Sequence, residues 1–293
     1  MNYKKIKRAE YDKCNICGQQ SKLTWDHVPP KCCNNRYSIK ANSWINGLPK
    51  DNFYGQQYQN GIRYRSLCNE CNNGLLGTKF DVVLADFTKQ VTDKMISSEV
   101  LPPVFRISVK INRLCRAICG HFLAAKNIYD EDYLIDAKLR RYVLDVEALP
   151  PENMSLMYWV YPYDTICLVR DVSVKSYSKK YVFPQGLISM MNSYPVAYLL
   201  SSEKEEECGL FDLFKYSTSD IDAVVDVPIE CVSCYFPNTN RMRSFLWPCY
   251  VSDREDGASF MLGNGECMND SKIAKHSLNT IEKIRKKELT VDN

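Results

Sequence analysis

The sequence predicts an α+β protein in two parts, a small loop-rich unit over residues 1–95 and a larger α+β unit over residues 104–293. Three observations carry this. Residues 14–80 are rich in Cys, Asn, Gly, Tyr and Pro and show little helical periodicity before Cys68. Apolar residues then recur at three- and four-residue steps in later stretches, the mark of amphipathic helices. Beyond Pro150-Pro151 the texture turns to short aromatic and β-branched runs with turn residues between them, the mark of strands.

The first helix is expected from Asn72 to about Val91, where Leu75, Leu76, Phe80, Val83, Leu84 and Phe87 keep the helical step. Ser97 to Pro103 contains Pro102-Pro103 and reads as a linker. The run VKINRLCRAICGHFLAAKNIY then reads as a helix, with Ile111, Leu114, Cys115, Ile118, Phe122 and Leu123 on one face. A shorter helix is expected over Asp132–Leu144. Strands are expected in MSLMYWVYPY, TICLVRDVSV, KYVFPQGLISMM, YPVAYLLSS, AVVDVPIECVSCYF and SFLWPCYVS, and a basic helix in SKIAKHSLNTIEKIRKKEL.

At 293 residues, 45% hydrophobic and 25% charged, the chain can bury real cores, which excludes wholesale disorder. No apolar run approaches the ~18–20 residues of a membrane span. The opening MNYKKIKRAEYDK lacks the apolar core of a secretory signal, so a cytoplasmic protein without a membrane partner is expected. There, fourteen cysteines are expected as thiols or metal ligands rather than disulfides. Charge is uneven. Residues 1–80 hold 13 Lys+Arg against 5 Asp+Glu, a net of +8, while the whole chain is +3, which leaves −5 for the remainder. A basic N-terminal third suits a polyanionic partner, and a solvated basic face gives the same count.

Cys14-Asn-Ile-Cys17-Gly and Leu67-Cys68-Asn-Glu-Cys71 are two CxxC pairs. Each forms a turn that aims two thiolates at one point, and together they complete a tetrahedral four-thiolate zinc site. Zinc would hold a region whose own apolar content is thin. Between the pairs stands Leu23-Thr24-Trp25-Asp26-His27-Val28-Pro29-Pro30-Lys31, and Asn72 and Asn73 come directly after the second pair. Adjacent residues on a strand point to opposite sides of the pleat, so one of Asp26 and His27 can face a metal while the other faces a substrate.

CxxC, then Asp-His followed by Pro, then CxxC directly followed by Asn resembles the HNH (His-Me finger, ββα-metal) endonucleases, in particular the zinc-stapled branch that includes phage junction-resolving nucleases. The resemblance covers about residues 14–90. It implies a treble-clef-like ββα-metal unit at 1–95, with structural zinc on Cys14, Cys17, Cys68 and Cys71. His27 would be the general base, and Asp26 with Asn72 would hold one catalytic Mg2+ or Mn2+. The partner would be DNA, double-stranded by analogy with the family. Lys31, Arg63, Arg65 and Lys79 are candidate phosphate contacts by position. Residues 104–293 would act in sensing, dimerisation or target recognition, with an anti-phage defence or restriction effector as the expected setting and an activating partner or ligand outside the sequence's reach. The competing expectation is a zinc-knuckle protein that binds nucleic acid, or another partner, without cutting.

The sequence departs from the family pattern at Arg63, where many members carry an Asn that orients the catalytic His. A backbone carbonyl or a residue of the 32–62 insertion must then fix the imidazole. Asp81 is a candidate further ligand, and Cys32-Cys33 lie close enough in sequence to replace a knuckle cysteine. Cys231, Cys234, Cys249 and Cys267 read as buried thiols rather than a second zinc site. Cys115, Cys119 and His121 read as helix packing. Tyr158, Trp159, Tyr161 and Tyr163 read as core rather than base-stacking residues. Lys272, Lys275, Lys283, Arg285, Lys286 and Lys287 fit a solvated helix as well as a DNA contact. No GxxxxGK[ST] loop or GxSxG elbow is present.

Overall fold

The computed structural model describes residues 8–36, 39–43, 56–97, 102–161, 165–176, 186–204, 210–231, 258–261 and 264–269. The N-terminal stretch forms β1 (Tyr11–Lys13), β2 (Gln20–His27), β3 (Ile39–Ser43), β4 (Gln56–Tyr58) and β5 (Arg63–Cys68). A π-helical segment, Glu70–Phe80, runs into α1 (Asp81–Ser97). Then come β6 (Val104–Lys110), α2 (Ile111–Ala124) and α3 (Leu134–Leu144). The remaining strands are β7 (Ser155–Val160), β8 (Thr165–Ser176), β9 (Gly186–Ser193), β10 (Val196–Ser201), β11 (Phe211–Asp212), β12 (Val224–Glu230), β13 (Ala258–Met261) and β14 (Asn264–Asn269). The chain is therefore mixed helix and sheet, an α+β protein among the described residues.

Three sheets organise the described residues. β1, β2 and β5 form a small antiparallel sheet. A larger sheet runs β11-β7-β10-β9-β8-β14-β3-β4, with β13 also on β8. β12 and β6 form a separate ribbon in full antiparallel register from Val224↔Lys110 to Glu230↔Val104. This ribbon departs from the sequence reading, which ran Val109 and Lys110 into the helix. Phe105, Ile107 and Val109 alternate with polar residues, and that period of two wins over the helical step until Ile111. β7 and β10 are buried on both faces, so their near-continuous apolar runs need cover on each side. The run SFLWPCYVS and the basic C-terminal segment lie outside the described residues.

Among the described residues, α2 is almost wholly buried. Every residue from Ile111 to Ala124 except Arg113 is buried, as expected of a helix packed all round. Gly120 makes this possible on one side. A Cβ there would sit 2.4 Å from Leu76 Cδ2, so a larger residue would force the buried Leu76 side chain to move. At its end, α2 grips the first CxxC. The Asn15 amide donates to the carbonyls of Leu123 at 2.9 Å and Lys126 at 3.0 Å, and Ser66 Oγ donates to Ala124 O at 2.7 Å. One continuous apolar cluster runs from Cys14 and Ile16 through Leu76, Phe87 and Ile118 to Tyr158 and Ile229. Residues on both sides of the expected 97–103 linker thus share one core.

Two buried guanidinium groups tie the second part together. Arg116 Nη2 donates to the carbonyls of Asp145, Val146 and Ala148 at 2.8–3.1 Å and the group stacks on Tyr142. Arg170 reaches Asp136 at 2.9 Å, and Lys126 bridges Asp136 and Asp171. Burying charge is tolerated only with such pairing.

Candidate functional site

The four cysteines of the CxxC pairs converge. Their sulfurs all lie within 4.8 Å of one another, with Cys17 and Cys68 at 3.9 Å. Gly18, at φ +71°, closes the first turn by donating its N–H to Cys14 O at 2.9 Å. In the second turn the Cys71 N–H points at Cys68 Sγ, 3.4 Å away. The Cys71 thiol hydrogen-bonds Cys14 and brings it down to about 5 against the opposing effect of burial, whereas burial pushes Cys17 up to about 11. This donor set fits a metal such as zinc. Cys32 and Cys33 stand apart from it, their sulfurs 3.9 Å from each other and Cys33 3.6 Å from Thr88 Oγ1.

The strand that carries Asp26 and His27 leans on that cluster through a bulge. Thr24 pairs with Leu67 and Trp25 with Arg65, so Ser66 has no opposite number. Such an extra residue bends the strand and re-aims the side chains beyond it. After the bulge, Asp26 pairs with Tyr64 and His27 with Arg63. Asp26 and Tyr64 turn inward, while Trp25, His27, Arg63 and Arg65 share the outer face.

His27 is fixed by the turn before β5. Its Nε2 donates to Asn60 O at 3.0 Å. A carbonyl only accepts, so Nε2 carries the proton and Nδ1 keeps its lone pair. Partial burial, with the charges of Lys31 and Arg63, holds the imidazole below its ordinary value, opposed by the Asn60 carbonyl. The sequence reading required a carbonyl or an insertion residue in this place, and both requirements meet in Asn60. The turn is braced by Asn35, which is fully buried. Its amide donates to Pro29 O at 2.6 Å and Ile62 O at 3.0 Å, and its Oδ1 accepts from the Ile62 N–H at 2.7 Å. Nothing in the sequence marked Asn35, because its partners are backbone atoms that meet only after folding.

On the inner face Asp26 meets a residue that the sequence assigned to packing. His121, fully buried on α2, directs Nδ1 to Asp26 Oδ2 at 3.2 Å and Nε2 to Asp81 Oδ1 at 2.9 Å. Burial alone would depress this imidazole, yet Asp81 and Asp26 together raise it well above the ordinary value. Both ring nitrogens of His121 thus meet an aspartate oxygen, an arrangement that favours the protonated ring. Asp81 joins the site as its partner. Asn72 reaches the backbone of the same strand. Its amide nitrogen donates to Thr24 Oγ1 at 2.9 Å and Trp25 O at 3.2 Å, one peptide from Asp26, which leaves Oδ1 as its acceptor.

Among the candidate phosphate contacts, Arg63 and Arg65 flank Trp25, and Lys31 is exposed near His27. Lys79 is set apart, in a groove with Val82, Asp86, Lys110, Arg113 and Val224. Tyr158, Trp159 and Tyr161 are buried, which removes them as open stacking surfaces. Cys115, Cys119 and Cys231 are buried, and burial pushes the thiols of Cys115 and Cys231 up to about 12. Tyr163, Cys234, Cys249 and the C-terminal bases lie outside the described residues. Comparison with family models, with curated proteins and with solved structures finds no match.

Proposed function

We propose that the chain is a metal-dependent DNA endonuclease in which His27 activates water for attack on a phosphodiester, with structural zinc on Cys14, Cys17, Cys68 and Cys71. The observation that supports this most is the opposed pair on β2. His27 sits outward with Nδ1 unprotonated, and Asp26 sits inward one peptide from the Asn72 amide. A general base needs a lone pair and a basicity near or below neutral pH, and His27 has both.

Asp26 and Asn72 would hold the divalent cation. Each has a hard oxygen outside the hydrogen bonds to His121, Thr24 and Trp25, and two such oxygens suit Mg2+ or Mn2+, which keep the remaining positions for water and phosphate. The cation, when bound, supplies charge stabilisation to the phosphoryl oxygens and the leaving 3′-oxygen. The chain's own residues do the rest. Asn60 O holds the imidazole tautomer, His27 Nδ1 takes the proton of the attacking water, and Arg63 with Arg65 draws in the phosphate backbone. Residues 104–293 would serve sensing, dimerisation or target recognition, in a defence or restriction setting that demands restraint of the nuclease.

One observation favours a second reading, a zinc-knuckle protein that grips nucleic acid without cutting. The Asp26 side chain is 9% exposed and one of its oxygens already serves His121. Incubating supercoiled plasmid with the zinc-loaded protein separates the two. The nuclease reading expects nicking with Mg2+ or Mn2+ that chelator abolishes; binding without nicking, with either cation, favours the second reading.

A further inference from the structure

Trp25 is a large indole left 50% exposed on the outer face of β2, although side chains of this size are mostly buried. Two guanidinium groups attend it. Arg65 lies 4.7 Å and Arg63 5.8 Å from the ring centroid. The register explains the grouping, since Trp25 faces Arg65 and His27 faces Arg63 across the pair, with all four on one side. Along a strand two residues span about 7 Å, so Trp25 and His27 stand about one nucleotide apart.

The surroundings are those of an anion-binding face. Lys31 and Arg63 act on His27 as positive neighbours. Glu10, the carboxylate that feels Arg65, is itself paired with Lys22 at 3.0 Å. Asp26 is turned to the inner side of the strand. A half-exposed indole with two guanidinium groups against its ring offers a base something to stack on and its flanking phosphates something to bind. In a paired, fully stacked duplex the base faces are covered by their neighbours, so this platform is usable only by a base outside the stack.

We infer that Trp25, Arg63 and Arg65 form a stacking subsite for an unpaired nucleobase of the DNA strand presented to His27, and so favour single-stranded segments. The subsite rests on the nuclease reading. The test uses the full, zinc-loaded chain carrying His27→Ala, so that binding is read without cleavage. Fluorescence anisotropy compares a labelled single-stranded oligodeoxynucleotide with a fully paired duplex of equal length, in that background and with Trp25→Ala or Trp25→Phe added.

Trp25→Ala is expected to weaken single-strand binding about tenfold, to leave duplex binding within about twofold, and to keep the melting profile, because the side chain lies at the surface. Trp25→Phe is expected to retain most of the single-strand affinity. Equal loss on both DNAs, or no loss on either, overturns the subsite. If the wild-type chain nicks plasmid while Trp25 proves silent, the subsite falls and the nuclease reading stands. If neither DNA is bound and plasmid is untouched, both fall.

Discussion

The Nδ1 of His121 meets the Oδ2 of Asp26 at 3.2 Å, in a buried contact between residues 95 positions apart. The other ring nitrogen reaches Asp81 on α1, so one imidazole joins three elements: β2, α1 and α2. His121→Ala leaves Asp26 and Asp81 without the ring that both hydrogen-bond. Removing one partner from a buried ionic group costs about 3–5 kcal/mol. Asp81 keeps 23% side-chain exposure, so a loss near about 3 kcal/mol is expected. Urea unfolding reads it; a change below about 1 kcal/mol would mean that water already solvates both acids.

The thiolate cluster should be the folding nucleus of the first ninety or so residues. Elemental analysis is expected to find about one zinc per chain. Cys68→Ser should release that zinc and unfold the β1-β2-β5 sheet rather than slow a reaction, because metal binding supplies folding free energy. Circular dichroism and metal content of the variant decide this, and a retained melting profile without zinc would refute it.

Asn35 is predicted to matter for rate more than for DNA affinity. Asn35→Ala strips the Ile62 N–H and the Pro29 carbonyl of their partners and leaves the Ile62 carbonyl only the Val28 N–H. An unsatisfied buried polar group costs about 1–3 kcal/mol, and the loosened turn carries the Asn60 carbonyl that holds His27. Lower kcat with little change in oligonucleotide binding is the expected split; unchanged kcat would show that His27 is held by something else.

The pH–rate profile should place His27 below an ordinary histidine. Burial and the nearby cations favour its neutral form, so the rate should rise with pH through a midpoint below about 6.5 and stay level across neutrality. The measurement is single-turnover cleavage at saturating Mg2+. A midpoint above about 7 would contradict the surroundings of this ring.

Much of the site was legible because its signals are local. CxxC spacing, Gly18 after the first pair and the Asp26-His27 adjacency each depend on a few neighbouring residues, and strand alternation alone separates the two side chains. The small sheet's bulge was not legible, since the unmatched Ser66 emerges only from pairing with β2. Nor was His121. On a helix it points off the face of Cys115 and Cys119 with no ligand or acid near it in sequence, and only tertiary folding brings two acids from other elements to it. Asn60 and Asn35 belong to the same class of long-range partners. β6 was hidden by the apolar helix that begins directly after it, with no breaker between Lys110 and Ile111.

The imidazole of His27 carries the proposed reaction. The direct measurement is single-turnover cleavage of end-labelled DNA by the zinc-loaded chain and by His27→Ala, each with binding recorded in parallel. A drop of at least about 10²–10⁴-fold in rate with unchanged affinity is the predicted result. Equal cleavage by the variant, or no cleavage by the wild-type chain on DNA that it binds, would contradict it.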